Sequence, residues 1–117
     1  MGVCWQVILL VASSFESIAT VTVGSGGAAN VEFTSIANTY THLQVRYIAQ
    51  SNRATYGRDL VLLNINGDTT NYSTHSLNGD GSSIGSGGEV NATRIFAGAC
   101  GTTAAGTYFF GGGIVDI

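Results

Sequence analysis

Lysine and proline are both missing from this chain, and its four cations are Arg46, Arg53, Arg58 and Arg94. Binding a nucleic acid duplex requires several cations to neutralise phosphates, so four Arg against seven acids, with a net charge of −3, exclude that class of partner. Lys and Pro are also the usual devices that keep a sheet edge from pairing with another chain. Their absence, with only 9% of residues charged, predicts a surface that is partly covered by identical subunits. Cysteine is scarce too. Cys4 and Cys100 allow one intramolecular bridge or two free thiols, with Cys100 as a small core residue, and the sequence leaves both open.

No apolar run is long enough for a membrane-spanning helix, which takes about 20 residues. The run Val7–Ala12, followed by Ser13 and Ser14, has the outline of a short secretory core without the positive residues that normally precede one. Trp5, Val7, Ile8, Leu9, Leu10 and Val11 are instead expected to form an apolar strand, or an arm laid on a neighbouring subunit. Residues 1–16 are then a segment apart from a domain over 17–117.

What the chain does have is β-branched alternation and turn-forming dipeptides. His42–Gln50 alternates, with Leu43, Val45 and Tyr47 on its core side, and Asp59–Ile65 is almost continuously apolar, which predicts a central strand buried on both faces. Ser17–Val23 and Ala29–Phe33 read as a hairpin about Gly24–Gly27, and Asn71–Leu77 reads as a half-exposed strand. Asn91–Ala97 and Thr107–Ile117 complete the set, separated by the small residues Gly98–Gly106. Ser51–Arg58 and Gly79–Gly88 read as exposed loops. Asn66-Gly67-Asp68 and Asn78-Gly79-Asp80 are hairpin turn signals, because Asn and Gly accept positive φ. No apolar repeat of helical period is present. The expected fold is all-β: an antiparallel β-sandwich, jelly-roll-like, of about eight short strands with little helix.

Residues able to carry chemistry are few. His42 and His75 lack the Cys, Asp or Glu partners at the spacing a zinc site needs, so no metal ligand is assigned. The two Asn-Gly-Asp copies resemble calcium-loop fragments but have no Glu in register, and turn chemistry explains them better. With no nucleophile elbow, no phosphate loop and no paired acid and base, neither catalysis nor a cofactor is expected. Asn71-Tyr72-Ser73 and Asn91-Ala92-Thr93 fit the glycosylation acceptor pattern. Five tyrosines leave a secreted or surface carbohydrate-binding module as the alternative reading.

Taken as an ordered set, several motifs go further. Phe33-Thr34-Ser35-Ile36, Thr39-Tyr40-Thr41-His42-Leu43, Arg53-Ala54, Asn66-Gly67-Asp68-Thr69 with Asn71-Tyr72-Ser73, and His75 through Leu77 to Gly79 and Gly81-Ser82-Ser83 together resemble a family of tailed-phage virion structural proteins. The resemblance runs over about Ser17–Ile117. It implies a β-sandwich that assembles symmetrically, as a trimer or a larger array, with other virion proteins at the surface of the extracellular particle. The role implied is capsid decoration or a tail or fibre component, with neither nucleic acid nor membrane as a partner. Ala37 stands where the family usually has Pro. The family pattern also continues for several strands beyond Ile114-Val115-Asp116-Ile117, so a strand from another subunit, or Met1–Val11, is expected to complete the sandwich.

Overall fold

A computed structural model describes residues 15–117, which fall into two units, one running up to Thr41 and the other His42–Ile117. The expected arm residues Trp5 to Val11 lie outside the described residues. In the first unit the alternating segments Ser17–Val23 and Ala29–Phe33 form no strand, although the turn between them exists, with the Gly27 N–H donating to the Gly24 carbonyl at 3.0 Å. Their side chains give the physical reason. Val21, Val23, Val31 and Phe33 are all exposed, so alternation here has no buried face to reward it.

The second unit holds six strands and no helix: β1 Gln44–Ser51, β2 Arg58–Leu63, β3 Tyr72–Gly79, β4 Ile84–Ala92, β5 Ile95–Thr102 and β6 Gly111–Asp116. Four of them form a mixed sheet in the order β2-β5-β1-β6, and β3 and β4 form a separate antiparallel ribbon. The all-β expectation holds. Among the described residues the strand count is six and not eight, one pairing is parallel, and there is neither a closed barrel nor a clear jelly roll.

In the mixed sheet, β1 pairs with β6 from Gln44↔Asp116 to Ala49↔Gly111, and Leu43 and Ile117 extend the ladder with reciprocal bonds of 2.9 and 2.8 Å. The parallel link from β1 to β5 is short, Gln50↔Gly101 and Ser51↔Thr102. The strand expected at the centre is at the edge: among the described residues β2 pairs only with β5, and Leu60 and Leu62 remain 52% and 42% exposed. A continuous apolar run therefore marks here one half-buried face and one uncovered face. Val45, Tyr47 and Ala49 form the less exposed side of β1, as the alternation predicts, while Ile48 on the other side is 83% exposed.

Glycine decides where the remaining strands lie. Gly85, Gly87 and Gly88 are in strand β4, not in a loop, because β3 side chains lie across them: a Cβ at Gly88 would sit 3.2 Å from His75 Nδ1, and one at Gly85 3.1 Å from the Asn78 amide. Likewise β5 runs on to Thr102 through a stretch expected to be a separator. Asn91–Ala97 is not one strand, since a bend at Thr93 and Arg94 parts β4 from β5. Tyr47 lies over both Gly98 and Gly113, and its hydroxyl donates to the Ala99 carbonyl at 3.5 Å. The buried residues, Ala92, Cys100, Gly101 and Thr102, lie at the end of β4 and on β5.

Candidate functional site

Three features could serve function: a polar corner at the start of β2, the two Asn-Gly-Asp segments, and a set of uncovered apolar side chains.

The corner arises because the loop 52–57 brings the end of β1 close to the start of β2. Asp59 accepts from the Ser51 hydroxyl at 2.7 Å, from the Leu60 N–H at 2.9 Å and from Arg53 at 3.0 Å. These contacts, led by Ser51, hold its carboxyl below the usual carboxylate range. The Arg53 guanidinium also stacks on Tyr56 at 4.8 Å, and the Thr102 hydroxyl donates to the Tyr56 carbonyl. Arg53, Tyr56, Arg58, Asp59 and Leu60 line a shallow depression of about 270 Å³. Every Asp59 contact serves the fold. The corner was missed in the sequence because its members run from Ser51 to Leu60 with Thr102 far along the chain, and only a closed loop between β1 and β2 unites them.

On β5 the Cys100 thiol is free and buried, and burial, followed by the nearby Asp59 charge, raises its pKa. Tyr47 is pushed up too, first by burial and then by Cys100. No group of three or more potential metal ligands exists among the described residues.

The two Asn-Gly-Asp copies differ. Asn66 and Gly67 have φ of 54° and 72°, and the Asp68 N–H donates to the Ile65 carbonyl at 3.0 Å, a two-residue turn of the expected kind. It does not close a hairpin, since β2 pairs with β5 and β3 with β4. Instead, Tyr72 fastens the turn: its hydroxyl receives the Ile65 N–H at 3.0 Å and reaches the Asp68 carbonyl at 3.1 Å. In the second copy Asn78 and Gly79 belong to β3, opposite Gly85 and Ile84. The turn lies further along than in the first copy, at Asp80–Ser83, where the Asp80 carboxylate accepts the Ser83 and Ser82 amides at 2.7 and 2.9 Å. Those bonds, Ser83 first, lower its pKa.

The third feature is the largest. Ile48, Leu77 and Ile84 are exposed by 83%, 80% and 83%, and Val90, Ile114, Leu60 and Phe110 by more than half. Among the described residues no large apolar side chain is buried: the buried apolar residues are Ala92 and Cys100. Neither the known family models, nor the curated proteins, nor the solved structures contain a match to this chain.

Proposed function

We propose that this chain is a non-enzymatic, self-assembling structural protein of a tailed-phage particle, a capsid decoration or a tail or fibre component at the particle surface. Its partners are identical subunits, in a trimer or a larger symmetric array, and other virion proteins. The observation that carries this reading is the uncovered apolar surface of the second unit, with Ile48, Leu77 and Ile84 each at least 80% exposed. Burial of such side chains is worth about 25 cal/mol per Å², and a subunit with so little core gains it by association. The ordered motifs from Phe33 to Ser83 supply the phage context by resemblance. The sandwich expected from the sequence is completed on this reading between subunits, each providing sheet that the other lacks.

The carbohydrate-binding alternative draws less support. Tyr47 is committed to Gly98 and Gly113, and Tyr72 to the turn at Asn66, which removes two of five tyrosines from a stacking platform. Size-exclusion chromatography with light scattering tests the proposal. A symmetric oligomer is expected at micromolar concentration, and a clean monomer overturns it. Deleting residues 1–14 tests the arm separately, with loss of assembly or solubility expected.

A further inference from the structure

The β3–β4 ribbon presents a problem that the mixed sheet does not. A two-stranded ribbon is at best marginally stable in water, and a third strand or a packed layer is what normally secures one. Among the described residues no strand lies beyond β4. On β3, Tyr72 is tied to the turn at Ile65 and Asp68, whereas among the described residues β4 has no comparable tether along Ile84–Glu89. Leu77 and Ile84, both on the His75 side of the ribbon, are 80% and 83% exposed.

The free edge of β4 is well formed for pairing. The Asp80 N–H donates to the Ser83 carbonyl at 3.2 Å, and alternation from that pair turns the amides of Gly85, Gly87 and Glu89 toward β3. Ile84, Ser86 and Gly88 therefore aim their amides outward. None of the usual blocking devices stands along this stretch: there is no Pro and no Lys, and Glu89 is its one charge. Three of its six residues are Gly, so a second backbone can approach without side-chain obstruction. The register shift between Tyr72 and Thr74, with Asn91 at φ 56°, ends the regular edge just past Glu89.

We propose that the Ile84–Glu89 edge of β4 pairs antiparallel with the same edge of a second copy of this chain. Two ribbons then become a four-stranded sheet that shares Leu77 and Ile84 across one continuous face. A second copy fits better than a charged partner. The edge is nearly uncharged, its charge lies at one end, and an antiparallel two-fold arrangement keeps the two Glu89 carboxylates apart. This rests on the self-assembly reading above and names one contact within it.

Hydrogen exchange and light scattering on the full chain test it together. The Ile84, Ser86 and Gly88 amides should gain protection as protein concentration rises. Ser86→Pro removes one outward amide and leaves the β3 ladder intact, because Pro is tolerated at an edge whose N–H faces away from its partner. It should keep the β-sheet circular dichroism and lose the oligomer. Ser86→Lys keeps the amide and charges the edge, and it should move dissociation to a higher protein concentration even if the Pro variant fails to fold. An unchanged oligomer in both variants overturns the edge pairing and leaves the assembly reading standing. Protection that ignores concentration and disappears on deleting residues 1–14 overturns it in favour of the chain's own N-terminal segment. A monomeric parent chain with these amides unprotected overturns both readings.

Discussion

The mixed sheet and the β3–β4 ribbon both depend on glycine, and they cover it in opposite ways. In the sheet a single half-buried aromatic, Tyr47 on β1, lies over Gly98 on β5 and Gly113 on β6 and so joins two strands that are not paired with each other. In the ribbon, small polar side chains at Ser76, His75 and Asn78 cross Gly87, Gly88 and Gly85, and the His75 and Asn78 positions are exposed. A glycine under an anchored ring is a fixed packing position. A glycine under a solvated polar side chain is nearly free to change, and there the backbone matters more than the side chain.

The largest expected effect separates the two regions directly. Gly98→Ala should cost about 3 kcal/mol or more, since φ there is 144° and the new methyl meets the Tyr47 hydroxyl. Gly87→Ala, where the nearest atom is Ser76 Oγ at 3.4 Å, should stay within about 0.5 kcal/mol. Equal losses in urea denaturation break the comparison. Tyr47→Ala should cost about 2 to 3 kcal/mol, less than a fully buried aromatic. Tyr47→Phe should be nearly silent, because its hydrogen bond is long at 3.5 Å. His75→Ala is the matched change in the ribbon and should do little.

A smaller effect divides the two Asn-Gly-Asp copies. Gly67→Ala should lose about 1 kcal/mol, because Gly67 holds φ at 72°. Gly79→Ala should be close to neutral, since Gly79 is strand and a Cβ there finds only the Ser83 carbonyl at 3.6 Å. The same substitution in the same tripeptide then reports which copy is a turn.

The smallest effect is on pH. Asp59 and Asp80 both have pKa values lowered by folding, so each contributes stability above the ordinary carboxylate range that is lost as pH falls through the lowered folded value. Asp59→Asn should flatten the acid side of the stability profile by less than about 1 kcal/mol, because the side chains of Arg53 and Asp59 are 45% and 28% exposed and water screens the pair. Asp80→Ala should leave the mixed sheet unchanged and speed amide exchange at Ser82 and Ser83.

Much of the strand content was legible from alternation: β1, β2 and β3 lie within a residue or two of His42–Gln50, Asp59–Ile65 and Asn71–Leu77. What alternation does not carry is the identity of a strand's neighbour, so the Asp59–Ile65 run read as central although β2 has one partner among the described residues. Glycine was the second obstacle. β4 has three Gly, and composition reads Gly79–Gly88 as a loop, while the covering side chains belong to β3; β6 has three Gly too, yet it lies inside the expected strand Thr107–Ile117. At the turns, Asn66 kept the φ that its dipeptide favours, whereas Asn78 was captured by its ladder to Gly85 and left the turn to Asp80. The corner at Asp59 left no local signal, for its Ser51 and Arg53 partners acquire meaning only once the loop closes.

Cys100 has a consequence of a different kind. Its thiol is 7% exposed, raised in pKa, and sits on the strand that links β2 to β1. The thiolate is the reactive form, so alkylation of this residue is slow for as long as β5 stays paired. The protein thus contains its own opening sensor: the rate at which the Cys100 peptide is labelled, followed by mass spectrometry, clocks the separation of the mixed sheet with no added probe.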